Sequence, residues 1–371
     1  MFLIESLVVG GAEKVLIDLV NNLDKSKYDI TVISIYNNSI YKDYQIQFKN
    51  LFSSHIKYTF LCDTANEQRY KMFNRLLNRL PAKIFYKLYI KGKYDIEVAF
   101  SEGLPTKVIT GSNNKASLKY AWLHTDTSNL LKEINKGQIE SLKRTYLKYD
   151  RLIAVSKSVA SSFKKEMNIS IPVNVLYNPI DQNSIISKSK EQIEDITKYK
   201  SFTIVSVGRL VKVKGYDRLL GTAKRLRDEG LLFKMWIIGE GEERANLEQY
   251  ILNNNLLECV SLLGFKSNPY KYIRQADLFV CSSRAEGLST VVTEALILGK
   301  PVVATDCAGM LELLGENEYG IITENSEEGL YRALKSLLLN KERYNHYKKQ
   351  AIIRGNYFSM DRLIAAMEEA L

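Results

Sequence analysis

Hydrophobic and polar positions along this chain change rhythm repeatedly. Short apolar runs bounded by turn residues are separated by longer stretches whose apolar positions recur at helical spacing. This predicts an α/β protein, because parallel strands are buried on both faces and need helices to cover them. In the first half the pattern predicts strands over Met1–Glu5, Asp29–Ile35, Ile96–Phe100, Lys119–Leu123 and Arg151–Val155. In the second half it predicts Phe202–Val207, Phe233–Ile238, Val260–Leu263, Leu278–Cys281 and Pro301–Thr305. Two doubly wound domains are therefore expected, 1–180 and 181–371. Asn178-Pro179-Ile180-Asp181 and the lysine-rich segment Gln182–Lys200 read as a connector, since proline interrupts regular structure and the rest shows no apolar face.

Composition fits this picture. The chain has 371 residues, more than one core usually serves, and its 46% hydrophobic and 25% charged content is that of an ordinary globular protein. No apolar run approaches the roughly 20 residues of a spanning helix, and the N-terminus lacks the features of a secretory signal. Cys62, Cys259, Cys281 and Cys307 lie far apart, without metal-ligand spacing, which predicts free thiols in a reducing, cytoplasmic setting. The net charge of +10 calls for an anionic partner: nucleic acid, a membrane surface or a phosphorylated substrate. Nucleic acid is disfavoured, because no recognition helix, zinc module or aromatic RNA-binding stripe is present.

Ligands of open α/β sheets gather at the carboxyl ends of the strands. Gly10-Gly11-Ala12-Glu13 follows the first strand and opens a helix over Lys14–Leu23, where main-chain N–H groups approach an anion or simply form a tight turn. Gly239-Glu240-Gly241-Glu242-Glu243-Arg244 follows another strand but is a poor dinucleotide loop. Its third glycine position is Arg244, and three glutamates oppose a pyrophosphate. Val207-Gly208-Arg209-Leu210-Val211-Lys212-Val213-Lys214-Gly215 is better suited: Arg209 and Lys214 stand at the mouth of the sheet, matching a diphosphate or forming a solvated basic loop.

In Ser282–Leu296, two glutamates, Glu286 and Glu294, have seven residues between them. Glu286 precedes a helix predicted to start near Ser289, so the N–H groups of Gly287, Leu288 and Ser289 point out of its first turn. Carboxylates repel phosphate, so each glutamate suits a hydroxyl-bearing part of a ligand, on either side of a diphosphate. A sugar–diphosphate–ribose meets that description.

Together these segments resemble the retaining family-4 glycosyltransferases, whose GT-B fold has two facing Rossmann-like domains with the active site between them. The likeness rests on Gly10-Gly11-Ala12-Glu13, Val155-Ser156-Lys157-Ser158, Asn178-Pro179-Ile180-Asp181, Gly208-Arg209 with Lys214-Gly215, and Glu286-Gly287-Leu288 through Glu294-Ala295, in that order along the chain. It implies a nucleotide-sugar donor, most simply a UDP-sugar, held mainly by the second domain, and a glycan or polyprenyl-diphosphate-linked acceptor held mainly by the first. On it, His124, Glu286, Arg209 and Lys214 are the catalytic candidates. Gly10, Gly11, Gly208, Lys266, Gly287, Leu288, Ser289 and Glu294 are the donor-binding candidates. Lys266 stands where the family contacts the base. Met1-Phe2-Leu3-Ile4 gives a first strand shorter than is usual in the family.

No cofactor or metal is expected, since the chain contains no Asp-x-Asp pair. Retention of anomeric configuration follows from the resemblance alone. A GT-B partner protein without catalysis and a GT-B sugar-nucleotide epimerase are the alternatives. Finally, Lys71, Arg75, Arg79, Lys83, Lys87 and Lys91 recur every fourth residue in 69–93, on two amphipathic helices broken at Pro81. This segment is either a solvated basic face or a contact with the anionic inner face of the plasma membrane.

Overall fold

A computed structural model describes residues 1–7, 10–37, 51–132, 134–194, 201–358 and 360–370. The chain divides into two compact units, Met1–Pro179 with Asp361–Leu371, and Ile180–Met360. The final helix, Met360–Ala370, runs along the first unit, where Glu368 accepts from Lys27 Nζ at 2.9 Å and from the main-chain N–H of Asp24 at 3.0 Å.

The first unit contains β1 (Phe2–Ser6), β2 (Thr31–Asn37), β3 (Lys57–Asp63), β4 (Ile96–Ala99), β5 (Leu118–Leu123), β6 (Arg151–Ala154) and β7 (Val173–Val175), in the order β3-β2-β1-β4-β5-β6-β7. The second contains β8 (Thr203–Val207), β9 (Lys234–Ile238), β10 (Val260–Leu262), β11 (Leu278–Cys281), β12 (Val302–Thr305) and β13 (Ile321–Thr323), in the order β10-β9-β8-β11-β12-β13. All pairings are parallel. Every predicted strand is present. The central ones, such as Leu278–Cys281 and Val302–Thr305, are wholly buried, which is why they read as unbroken apolar runs. The strands absent from the prediction lie at sheet edges: β3 carries Lys57 and Asp63, and β7 and β13 have three residues each.

The expected connector needs correction. Gln182–Ser189 is a helix, capped by the Asp181 carboxylate, which accepts from Ser184 N–H at 2.9 Å. Ile180 and Ile185 are buried in the second unit's core, and Ile193 packs against it. Two or three apolar side chains suffice to dock so short a helix, and among lysines and serines they form no visible stripe. Residues 195–200 of that segment lie outside the described residues. Ser156 plays the same capping role for the helix Lys157–Met167, accepting from Val159 N–H at 3.1 Å. Such caps contribute about 1 kcal/mol each.

Candidate functional site

Each sheet has one point where the strand order reverses and the loops diverge, between β1 and β4 in the first unit and between β8 and β11 in the second. The loops after β8 and β11 carry most of the candidate residues. After β8 the chain turns at Gly208, forms a single 3-10 turn at Lys212–Lys214 and enters the helix Tyr216–Asp228. After β11 it runs from Ser282 to Ser289 and enters the helix Thr290–Ile297.

The two loops are stitched together. Arg284 N–H donates to the Val213 carbonyl at 2.7 Å, and Ser282 Oγ donates to the Lys214 carbonyl at 2.8 Å. Across them Lys214 Nζ donates to Glu286 Oε1 at 2.7 Å, and Ser283 Oγ donates to the same oxygen at 2.5 Å. Burial works against the Lys214 charge, but the Glu286 carboxylate outweighs it and holds the ammonium above the usual lysine value. The Cys281 thiol donates weakly to Oε1 as well, at 3.9 Å, so Oε2 is the oxygen of Glu286 left without a hydrogen bond among the described residues.

Beside this pair the Arg209 side chain is exposed and makes no ion pair or hydrogen bond to a described residue, so its whole guanidinium fork is available to an anion. Gly208 is tied down by its N–H, which donates to the Ile238 carbonyl at 2.9 Å. Beneath the loops a cavity of about 10 Å³, the size of one water, is lined by Ser206, Lys214, Tyr216, Cys281, Ser283 and Glu286.

The Gly239-Glu240-Gly241 loop explains itself here. A Cβ on Gly239 would collide with the Gly208 carbonyl, and one on Gly241 with the Leu210 backbone. Leu210 N–H donates to the Glu240 carbonyl at 2.8 Å, and Glu243 N–H returns a bond to the Leu210 carbonyl at 2.9 Å. The glycines let this loop support the Arg209 turn from below, which is a different use of the glycine spacing from pyrophosphate binding. Gly309, with φ of 77°, serves the other side in the same way, since a Cβ there would strike the Gly287 carbonyl.

Glu286, Gly287 and Leu288 precede the helix Thr290–Ile297. Ser289 is its N-cap, but the Ser289 hydroxyl makes no cap bond and is buried without a partner among the described residues. Glu294 is buried within the same helix, where Tyr270 Oη donates to its Oε1 at 3.3 Å. Tyr270 opens the helix Tyr270–Gln275, and sequence reasoning missed it, since nothing in Ser267-Asn268-Pro269-Tyr270 sets it apart from a core tyrosine. Ser283 was missed for the same reason. Lys266 is half-buried, its ammonium 5.8 Å from the centre of the Tyr272 ring.

The remaining candidates belong to the first unit. Gly10 caps the helix Gly11–Asn22, and the Glu13 carboxylate lies close against the Gly10 Cα. His124 follows β5, half-buried between Phe100 at 5.1 Å and Trp122 at 6.5 Å between ring centres. Burial pushes its pKa down to about 4, so the ring is neutral near pH 7, and Nε2 is buried without a partner among the described residues. Its turn is held by Glu102, a residue the sequence reading passed over.

No group of three or more His, Cys, Asp or Glu among the described residues is arranged to hold a metal. Burial raises the Cys281 thiol, and all four cysteines are free. Among the described residues no helix is long and apolar enough to cross a membrane.

Comparison with known proteins identifies the family and the fold. Residues 9–184 match the family described as Glycosyltransferase Family 4, and residues 188–354 match Glycosyl transferases group 1. The chain is 31% identical over 367 residues, 96% of its own length and 94% of the relative's, to the N-acetylgalactosamine-N,N'-diacetylbacillosaminyl-diphospho-undecaprenol 4-alpha-N-acetylgalactosaminyltransferase of Campylobacter jejuni. An uncharacterized glycosyltransferase of Haemophilus influenzae is 24% identical over 96% of this chain and 94% of that one. Among solved structures, Anabaena HepE in complex with UDP-glucose superposes with a TM-score of 0.77 at 20% identity, covering 100% of this chain and 98% of that one. Sucrose-phosphate synthase from Thermosynechococcus elongatus gives 0.82 at 15% identity, covering 100% and 97%. The chain belongs to the family-4 glycosyltransferases of the GT-B fold.

Proposed function

We propose that this glycosyltransferase moves a sugar from a UDP-sugar to a lipid-linked glycan during cell-surface polysaccharide synthesis, with retention of anomeric configuration and without a metal. The observation that carries the reading is the Lys214–Glu286 pair at the β8/β11 switch point, with Arg209 unpaired beside it. Arg209 and Lys214 hold the diphosphate and stabilise its charge as the glycosidic bond breaks. Glu286 Oε2 accepts from a hydroxyl of the transferred sugar, and Glu294 accepts from the ribose diol. The buried Ser289 hydroxyl, with the first-turn N–H groups of its helix, suits a phosphate oxygen. Lys266 lies beside the base.

The donor class is supported by the HepE complexes with UDP and UDP-glucose. The acceptor class is supported by the diphospho-undecaprenol substrate in the name of the Campylobacter jejuni relative. That name also specifies an alpha linkage, which an alpha-configured nucleotide sugar yields by retention.

Contact with the cytoplasmic leaflet is part of the proposal. The helices Glu67–Arg79 and Ala82–Tyr89 bury Phe73, Leu77 and Phe85, yet leave Met72, Ile84 and Leu88 at 60%, 48% and 55% exposure among Arg75, Arg79, Lys83 and Lys87. Exposed apolar side chains set among cations suit an anionic membrane surface, where each basic residue contributes about 1 kcal/mol.

A screen of UDP- and GDP-sugars by thermal shift tests the donor assignment, since the true donor raises Tm by mass action. Stabilisation by GDP-sugars alone would overturn the UDP assignment. Activity lost in EDTA and restored by a divalent ion would overturn metal independence.

A further inference from the structure

The loop that carries Glu286 is gripped from outside through its main chain. Its three successive carbonyls, at Ser282, Ser283 and Arg284, each accept from a side chain that belongs to another element. Arg218 Nη2, on the helix Tyr216–Asp228, donates to the Ser282 carbonyl at 2.9 Å. Thr305 Oγ1, which ends β12, donates to the Ser283 carbonyl, as does the Cys307 thiol at 3.1 Å. Asn325 Nδ2, just past β13, donates to the Arg284 carbonyl at 3.0 Å and to the Asp306 carbonyl at 2.9 Å.

Asn325 is the hub of this arrangement. Arg218 Nη1 donates to its main-chain carbonyl and to its Oδ1, each at 2.8 Å, which fixes the amide so that Nδ2 faces the two loops. Both N–H groups then serve carbonyls of the loops after β11 and β12, and the oxygen serves a cation. The consequence reaches Glu286. Ser283, whose carbonyl is one of the three, donates through Oγ to the Glu286 carboxylate at 2.5 Å, and the same oxygen meets Lys214 at 2.7 Å. Holding the main chain of 282–284 therefore holds that carboxylate, and a misplacement of about 1 Å at an active site can cost about 100-fold in rate.

We propose that Asn325, oriented by Arg218, is a positioning residue for Glu286, acting through the main chain of 282–284 without touching substrate. The proposal rests on the glycosyl-transfer reading above, in which Glu286 serves the transferred sugar.

Asn325→Asp tests it, because the carboxylate keeps the size and the bond from Arg218 but has no N–H for the Arg284 and Asp306 carbonyls. With UDP-N-acetylgalactosamine and an undecaprenyl-diphosphate-linked oligosaccharide as probes, kcat is expected to fall about tenfold, with donor KM within about twofold of wild type. In a Glu286→Gln background the same substitution should change kcat less than about twofold, since the group it positions is already altered. A merely structural role predicts that the two losses multiply; that result, or an unchanged kcat in Asn325→Asp alone, overturns the proposal. Arg218→Lys keeps a cation but lacks the fork that reaches Asn325 and Ser282 together, so it should repeat the pattern, and it takes over if Asn325→Asp does not fold. If wild type transfers no sugar, the transfer reading fails on its own. Positioning is then judged by urea denaturation: the coupling between Lys214 and Glu286, from a cycle of Lys214→Ala and Glu286→Ala, should weaken in Asn325→Asp, and unchanged coupling overturns it.

Discussion

Lys214 Nζ and Glu286 Oε1 meet at 2.7 Å, although 72 positions separate them in the chain. The contact joins the two loops that flank the β8/β11 switch point. It leaves Glu286 Oε2 as the oxygen open to a ligand among the described residues, and it couples the cation proposed for phosphate to the acceptor proposed for hydroxyls. Lys214 and Arg209 are therefore unequal cations.

Removing them should give different signatures. Arg209→Ala takes away an exposed side chain without a partner among the described residues, so turnover should drop about 10- to 100-fold with Tm nearly unchanged. Lys214→Ala also strands the Glu286 carboxylate, whose side chain is 11% exposed, and should lower both turnover and Tm. Parallel kinetics and thermal denaturation check this. Equal Tm values for the two variants would remove the structural role of the pair.

The two glutamates should separate in steady-state kinetics. Glu294→Gln is expected to raise donor KM about tenfold with little change in kcat, because a ribose contact is the same in ground and transition states. Glu286→Gln should lower kcat instead. Tyr270→Phe, which deletes the hydroxyl donating to Glu294 at 3.3 Å, should shift donor KM in the Glu294 direction by a smaller factor.

His124 makes a pH prediction. Its folded pKa of about 4 lies below the unfolded value near 6.5, so the unfolded chain binds a proton in that interval and the folded chain does not. Stability should fall as pH drops from about 6.5 to about 4, by roughly 3 kcal/mol at most from this group. Burial raises the neighbouring Glu102 carboxyl, which titrates in the opposite sense, gaining stability as pH falls. The difference between wild type and His124→Phe isolates the histidine, and urea denaturation from pH 7 to 4 measures it. A flat difference would mean that the ring is not held neutral.

Liposome flotation tests the membrane face. Binding to anionic vesicles at low salt should weaken when Arg75, Arg79 and Lys83 become Gln, and independently when Met72, Ile84 and Leu88 become Ser. Lys71 already pairs with Glu67 and should matter less. No binding at low salt would leave the segment as solvated surface.

The sequence showed the central strands because burial on both faces writes continuous apolar runs, as in β11 and β12. It concealed β3, whose outward positions carry Lys57, Thr59 and Phe60, and the helix Gln182–Ser189, docked by a few side chains. The sequence alone could place Arg209, Lys214 and Glu286 in loops at strand ends, where charged residues have few structural uses, and Glu294 on the helix that follows. Ser283, Tyr270 and Glu102 were not legible in it. Each acts by bonding to another candidate, and only the fold creates those contacts.

The central claim is sugar transfer itself, and product analysis with the anomeric configuration resolved by NMR tests it most directly. Incubation with a UDP-sugar and an undecaprenyl-diphosphate-linked acceptor should release UDP and extend the glycolipid by one sugar in the donor's own anomeric configuration, with the donor unchanged when acceptor is omitted. Conversion of the donor to another UDP-sugar without acceptor, or an inverted linkage in the product, would contradict the account.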